Sequence, residues 1–594
     1  MTGRIPIAAV FVFFFHVADG ASDATSLYEW SAQIDIHPTA ITLNGFDLES
    51  QNFHVCVKNT GTRTWNAKAE RLALSYHVRA EDNVAAKWDN QRFALPELKP
   101  GESTVLNVPA PNDIKPGYGK FILAFDIVRE EIAWFAATNP ANRFPEASID
   151  LTKASLADLR DEPALKKARS LAVGIENVDR ATALAFYTLH KSPKTFSTPS
   201  GNLTALTAGA TYPQSWIRDC ATGIAAAYLA LGDTAARGCI LLHLFNQHDD
   251  GYVNDWVDGN GEKDKNTVEA DQESSLVIAA TEYVDSSGNT AFLSSKVNAV
   301  AVLDRLGLAL NYVWVHRRDP ETGLVTSGHT IDWGDVSIEE GDQQAIYLSA
   351  RSHLVAGIYT NAMYAMAIRN YLHLLGAQVG ASKQVRARWT ERSHLLAGKI
   401  NQYLWNEAHG YFVMHRHVTP LNLPADESAM FALGGNAVAI EAGLANKRQA
   451  DRITRNALRL QAQYHAATLS GVLYPPFPDG VYQHPMVRQS FTYQNGGLWD
   501  WFGLRLVRTM FKANHPQAGC RALEEIAAKV VRNGTFSEWD DLDGHAEGSK
   551  DYIGAAGQYV AAVKELNSYV TRERRLTPSF SAHNLCVQAA HAER

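Results

Sequence analysis

The amino-acid sequence predicts a mainly α-helical protein, an (α/α)6 toroid preceded by a small antiparallel β-sandwich. Three observations carry the prediction. From about residue 151 onward, long segments place apolar residues at i, i+3, i+4 and i+7, the period of helices with one buried face. These segments number about a dozen, the count that a toroid of six helical hairpins needs. Residues 28–150 instead alternate apolar and polar side chains, with turn residues between the runs.

The strands come first. Phe53-His54-Val55-Cys56-Val57 alternates cleanly, and Leu72-Ala73-Leu74-Ser75-Tyr76-His77-Val78 alternates again. Asn59-Thr60-Gly61, Pro100-Gly101-Glu102-Ser103 and Lys115-Pro116-Gly117-Tyr118-Gly119 supply the turns. Regular spacing of short strands argues for a sandwich. The run "VKNTGTRTW", "LPELKPGESTVLNV", "GYGKFILAFDIVREEIAWF" resembles the immunoglobulin-like accessory modules of bacterial surface and carbohydrate-active proteins. Such modules bind glycans or brace a catalytic domain, and bracing is the favoured role here.

The helical segments follow at 219–231, 234–247, 268–284, 291–315, 346–375, 384–404, 427–445, 448–463, 494–512, 517–532 and 551–568. Loops carrying Trp, Asp and Glu recur between them, where a rigid scaffold positions chemistry well. No short repeat period is evident, which argues against a regular solenoid. The catalytic domain is expected over 151–571. Residues 572–594, with Arg572, Arg574 and Arg575, read as a peripheral tail.

Length and charge set outer bounds. The chain has 594 residues, room for two to four domains at about 100–200 residues each. A net charge of −8 leaves no basic excess to neutralise phosphates, so nucleic acid is not an expected partner. Residues 1–21 read as a signal peptide. Arg4 is followed by an apolar stretch from Ile5 to Val17, then by the small residues Ala18-Asp19-Gly20-Ala21. The stretch is shorter than the roughly 20 residues of a comfortable membrane span. No later segment is apolar enough to span, so the mature chain is expected to be secreted or periplasmic. An uncleaved anchor is the alternative. The five cysteines, Cys56, Cys220, Cys239, Cys520 and Cys586, match no zinc or redox spacing, and an odd count leaves at least one unpaired.

Five motifs hold candidate chemistry. Tyr212-Pro213-Gln214-Ser215-Trp216-Ile217-Arg218-Asp219 opens a helix. An aromatic face beside an Arg-Asp pair suits a sugar ring, and an acid at a helix N-terminus complements the dipole. A structural ion pair explains the motif equally well. Val268-Glu269-Ala270-Asp271-Gln272-Glu273 places Glu269 and Glu273 on one helix face at i, i+4, with Asp271 pointing elsewhere. A solvated acidic face is the default there, and sugar binding by Asp271 the sharper reading. Thr326-Ser327-Gly328-His329-Thr330-Ile331-Asp332-Trp333-Gly334-Asp335 sets carboxyls beside Trp, where desolvation raises a pKa as a general acid requires. An acidic surface loop is its plain alternative. Tyr493-Gln494-Asn495-Gly496-Gly497-Leu498-Trp499-Asp500-Trp501 combines glycines with a Trp wall. Gly534-Thr535-Phe536-Ser537-Glu538-Trp539-Asp540-Asp541 puts Glu538 in a loop before the last helix.

In order, "WIRD", "DWGDV", "YQNGGLWDW" and "FSEWDDLDG" resemble the toroidal catalytic domains of glycogen-debranching enzymes, glucoamylases and processing α-glucosidases, over roughly 200–570. The resemblance implies an exo-acting, inverting glycoside hydrolase that releases glucose or a related sugar from α-linked oligo- or polysaccharides. It implies Asp335 as general acid and Glu538 as general base. It also implies that Arg218 and Asp219 hold the terminal sugar, and the motifs themselves add Trp216, Asp271, Asp332, Trp333, Asn495 and Trp499 to the candidate substrate site. Processing glucosidases place the acid sooner after a Ser-Gly, which keeps Asp332 as the alternative acid. Gly334 stands where glucoamylases carry a Glu, and Asp500 where Pro is common. Such a pair needs opposite protonation states, so the environments should push the two pKa values apart. No metal or other cofactor is expected. A toroidal sugar phosphorylase, a polysaccharide lyase and a non-catalytic glycan-binding protein are the competing readings.

Overall fold

The computed structural model describes residues 29–44, 51–80, 85–87, 89–111, 119–139, 142, 144–152, 166–338, 343–378, 380, 382–513 and 515–591. The segment read as a signal peptide lies outside the described residues. The chain divides into two compact units, Met1–Thr152 and Lys153–Arg594.

The first unit is built on strands. β1 (Ala32–His37), β3 (Asn52–Asn59) and β5 (Ser103–Pro109) form an antiparallel sheet in the order β1-β3-β5. β2 (Ala40–Asn44), β4 (Leu72–Ala80), β6 (Gly119–Arg129) and β7 (Glu146–Thr152) belong to a second sheet, in the order β2-β7-β6-β4. β2 and β7 run parallel, and the other pairs along that path are antiparallel. The alternation read in β3 is real: Phe53, Val55 and Val57 are fully buried while His54 and Lys58 are exposed. Those three join Leu74, Tyr76, Val78, Phe121, Leu123, Phe125 and Ile127 in one apolar core supplied by both sheets. β4 departs from simple alternation, because Ser75 and His77 on its other face are buried as well.

Among the described residues, the second unit has twelve major helices in alternating roles. They are α1 (Glu176–Lys191), α2 (Ile217–Leu231), α3 (Asp233–Phe245), α4 (Gln272–Ser287), α5 (Val302–His316) and α6 (Ile358–Ala377). Then come α7 (Lys383–Leu404), α8 (Leu433–Glu441), α9 (Lys447–Gln463), α10 (Asp500–Lys512), α11 (Pro516–Asn533) and α12 (Ile553–Arg574). The even-numbered helices pack in sequence, α2 on α4 through to α10 on α12, and α12 closes the ring on α2. The odd-numbered helices pack outside them. Composition explains the division. α2, IRDCATGIAAAYLAL, is dominated by small and apolar residues, so it tolerates neighbours on nearly every side. At the closure a Cβ added to Gly557 would lie 2.5 Å from the Cα of Gly223, so α12 and α2 meet backbone to backbone. The outer helix α9 is amphipathic instead. It starts with a reciprocal capping box between Asn446 and Gln449, and buries Ala450, Ile453, Ala457 and Leu460 at helical spacing.

Several helix starts differ from the sequence-based expectation. Segments read as starting at 268, 291, 346, 427 and 494 begin instead at Gln272, Val302, Ile358, Leu433 and Asp500. All but Val302 open an inner helix. Residues 268–271 and 494–499 are buried loops, so they imitate the core-facing pattern of the helix that follows. α1 lay outside every predicted segment, and the boundary expected at 571 falls inside α12. A last helix, α13 (Ala582–His591), occupies part of the expected tail. Two disulfides, Cys220–Cys239 and Cys520–Cys586, tie α2 to α3 and α11 to α13, and Cys56 is free.

Candidate active site at the helix N-termini

Long loops enter the inner helices, and short ones mostly leave them. The motifs read from sequence therefore collect where the inner helices begin. Arg218 and Asp219 lie in the first turn of α2, and Asp271 is the residue before α4. Tyr359 opens α6, Trp499 precedes α10, and Tyr552 precedes α12. Each N-terminus carries unsatisfied N–H groups and a partial positive charge, which favours acids. Carboxyls crowd here for that reason.

Arg218 organises them. Its Nε and Nη2 donate to the two oxygens of Asp271 at 2.9 and 3.0 Å. Nη1 donates to Asp335 Oδ1 at 2.7 Å, and Nη2 also lies 2.8 Å from Glu269 Oε2. Asp335 Oδ2 accepts from the Gln494 amide at 2.9 Å, and its own N–H donates to Gln494 Oε1 at 3.1 Å. Gly334 is required for this turn: an added Cβ would sit 3.0 Å from Gln494 Oε1 and 2.9 Å from the Ile331 carbonyl oxygen. The Glu that glucoamylases carry at that position has no room here.

Glu538 faces Asp335 across one hydroxyl. The Tyr493 OH is 3.4 Å from Asp335 Oδ2 and 3.4 Å from Glu538 Oε1. Glu538 Oε1 also accepts from the Tyr212 OH at 2.9 Å, and Oε2 from the Ser549 N–H at 2.9 Å. The Glu538 loop is held from behind by a buried Lys529. Its ammonium donates to Asp500 at 2.6 Å and to Asp540, while Ser537 donates to the other Asp540 oxygen at 2.7 Å. Asp500, where Pro is common in similar motifs, thus anchors the base of the site. Half-buried Tyr212, Trp216, Trp256 and Trp539 provide aromatic surface around these groups, Tyr212 packing edge-on to Trp216 and Trp539 to Tyr493.

The pKa shifts have physical causes. Burial pushes Asp219 up to about 7, against a hydrogen bond with Tyr552 and the charge of Arg218. Its Oδ1 has no hydrogen-bond donor among the described residues. Burial also raises Glu538, outweighing the donors from Ser549, Tyr212 and Tyr493. At Asp335 burial works upward too, but hydrogen bonding with Glu269 and the charge of Arg218 outweigh it and hold the carboxyl below its usual range. Glu269 is pushed well up, first by burial and then by neighbouring carboxylates. Of these two acids the opposed shifts favour the proton on Glu269. The pair is split as expected, but in the opposite sense, with Glu538 raised and Asp335 lowered. The causes are burial at Glu538 and, at Asp335, hydrogen bonding with Glu269 followed by the charge of Arg218.

Several expected substrate contacts are corrected. Asp271 is fully engaged by Arg218 and by the Tyr359 OH at 3.0 Å, so it positions Arg218. Asn495 staples its own loop, donating to the carbonyls of Phe477, Val487 and Gln489 and accepting the Phe477 N–H. Trp499 is buried, donates to the Tyr493 carbonyl at 3.0 Å, and packs on Trp333, itself buried against Trp501 and Phe502. These rings form the wall behind the site. Asp332 turns away from Glu538: its Oδ2 accepts the Gly435 N–H at 2.9 Å, in the first turn of α8. Burial lifts it to about 7 against the N–H groups of Gly435 and Gly434. Asp335, with a side chain 27% exposed, is the carboxyl of this loop that remains accessible. Glu269 and Glu273 do not share a solvated helix face. α4 starts only at Gln272, so Glu269 lies in the preceding loop, and Glu273 is buried against Lys265. Tyr212, Gln494 and Tyr493 belonged to recognised motifs, yet only contacts across the fold reveal their roles.

Among the described residues, one cluster, His329, His415, His417 and Glu427, offers ligand atoms suited to a metal ion. It was not foreseen, because His329 comes from the connection between α5 and α6 and the other three from that between α7 and α8.

Comparison with known proteins adds structural likenesses only. No protein-family model matches the chain, and no curated protein matches it. An uncharacterized conserved protein from Thermus thermophilus is similar in structure, with a TM-score of 0.45 and 17% identity over 64% of this chain and 98% of that one. A GH63 mannosylglycerate hydrolase from the same organism, in complex with glucose, has a TM-score of 0.45 and 16% identity over 64% of this chain and 98% of its own. The same hydrolase with Tris and D-glycerate has a TM-score of 0.46 and 14% identity, covering 63% and 98%.

Proposed function

We propose that this chain is an exo-acting, inverting glycoside hydrolase with Asp335 and Glu538 as its reacting pair. The observation that carries the reading is the Tyr493 hydroxyl, 3.4 Å from one oxygen of each carboxyl. The two oxygens are no more than twice that distance apart. That ceiling admits both the roughly 5–5.5 Å of a retaining pair and the lower edge of the about 6.5–9.5 Å of an inverting one, so the geometry supports the pairing and inversion is read from the motif resemblance. In this scheme Asp335 protonates the departing oxygen, with Glu269, the neighbour on which a proton is favoured, as its proton source. Glu538, oriented by Tyr212 and Ser549, takes a proton from the water that attacks the opposite face of the sugar. Arg218 and the unpaired Oδ1 of Asp219 supply the grip on a terminal sugar, and Trp216 the stacking face. An α-linked glucose or related sugar is the substrate that the motif resemblance favours. Export is proposed with it, and two disulfides suit an oxidising compartment. The N-terminal unit is read as an accessory, bracing module.

The upward shift of Glu538 favours one second reading, in which Glu538 is the acid and Asp335 the base. Leaving groups that need no protonation separate the two. On a panel of glycosyl fluorides, the variant lacking the acid keeps turnover and the variant lacking the base loses it. Retained activity in Asp335→Asn supports the first assignment, and retained activity in Glu538→Gln supports the exchange. NMR of the first-formed anomer reports inversion. Phosphate-dependent release of a sugar 1-phosphate would make the protein a phosphorylase instead.

A further inference from the structure

We propose that His329, His415, His417 and Glu427 bind a divalent first-row transition metal, best matched by zinc, which locks the loop that carries Asp335. The four residues present ligand atoms that all lie within 4.8 Å of one another. Each imidazole directs its Nε2 at the same carboxylate. His329 and His415 approach Glu427 Oε1 at 2.7 and 2.9 Å, and His417 approaches Oε2 at 2.5 Å. Three imidazole nitrogens and one carboxylate oxygen form a four-ligand set of the type zinc takes, at ligand distances of about 2.0–2.2 Å. Small outward movements of four side chains make room for an ion at their centre.

The backbone fixes this convergence. His415–His417 is a short strand, so His415 and His417, two residues apart, project from one face. It pairs with Leu354–Gly357, which pairs in turn with Ser327–Gly328, directly before His329. The His329 N–H donates to the His353 carbonyl at 2.8 Å. Glu427 begins a single 3-10 turn whose preceding residue, Asp426, caps it through the Ser428 N–H. His329 and His415 are buried, and the Nδ1 of His329 lies 3.1 Å from the Tyr482 hydroxyl. A hydrogen bond at the remote ring nitrogen is the usual support of a ligating histidine. The set is closed by four protein ligands, the pattern of structural sites.

Its place in the fold gives the metal a task. The loop 330–337 is closed at its base by a bridge between Thr330 and Ser337, and the Ile338 N–H donates to the His329 carbonyl at 3.0 Å. His329 is thus the base of the loop that carries Asp332, Trp333 and Asp335. A metal at His329 ties that base to the connection between α7 and α8 without touching the reacting groups.

The test uses the full chain stripped of metal and then titrated with zinc and, separately, with cobalt. One equivalent of zinc per chain is expected, with a rise in the thermal midpoint. Cobalt should give the visible absorption of a tetrahedral nitrogen- and oxygen-ligated ion, bleached by added zinc. The double variant His415→Gln, His417→Gln should bind neither metal, and its midpoint should not respond. If that variant does not fold, the cobalt spectrum of the wild type decides by itself. Absence of saturable binding by wild type, a cobalt spectrum of octahedral type, or undiminished stoichiometry in a folded double variant would overturn the proposal. These readouts do not depend on turnover, so failure of the hydrolase reading leaves them intact.

Discussion

The N-terminal sheets and the mouth of the helical ring treat buried space differently. In the sheets, both faces of the core are apolar, and ion pairs such as Arg79–Glu146 lie at the surface. At the mouth of the ring, Asp219, Glu269, Asp271, Asp332, Asp500, Glu538 and Asp540 are all buried. Carboxyls are costly to bury unless paired and hydrogen-bonded. Arg218, Lys529, four tyrosines and six helix N-termini make that concentration tolerable. The sheets use burial to hold a shape, and the ring uses it to set protonation states.

The contrast yields predictions of graded size. Glu538→Gln removes one member of the reacting pair and keeps the shape. A fall in turnover of about 10²–10⁴-fold, with an unchanged thermal midpoint, is expected; wild-type-like hydrolysis would remove Glu538 from the mechanism. Lys529→Met strands Asp500 and Asp540 in the interior. A stability loss of about 3–5 kcal/mol in urea is expected, and a near-neutral result would mean that those acids protonate instead.

The third prediction concerns pH. Asp219 titrates at about 7 in the folded protein, above the roughly 3.9 of an unfolded chain. The folded state therefore holds a proton that the unfolded state releases between those values. The stability this group contributes is full below about 4 and is lost as pH rises to 7. Asp219→Asn lacks that dependence. The stability of wild type relative to the variant should fall across this window, by up to about 1.4 kcal/mol per pH unit. A flat difference would show that the carboxyl is not desolvated. The smallest effect is expected in the sheets: Arg79→Ala breaks a surface ion pair, worth about 0.2–1 kcal/mol and weakened by salt. A larger, salt-insensitive loss would blur the contrast between the two regions.

Part of the site was legible. Arg218, Asp219, Asp335 and Glu538 stand in motifs singled out from the sequence, and all four lie at the mouth of the ring. Asn495, Trp499 and Trp333 stand in the same motifs, but the fold gives them to the wall and the loop, because a motif does not say which of its side chains faces inward. Glu269 was read on a helix that starts three residues later. His415-Arg416-His417 was a readable signal on a strand with Glu427 a few residues on, but the third histidine, His329, is distant in sequence.

The sequence by itself determined the two textures of the chain, because hydrophobic period depends only on neighbours along it. It also determined the order of the carboxylate motifs and the residues available for chemistry. Tertiary structure alone decided which carboxyls share Arg218, which pKa values are pushed up or down, and which histidines converge on Glu427. Those properties depend on distances of a few ångströms between loops far apart in the chain, and on the loss of water around them.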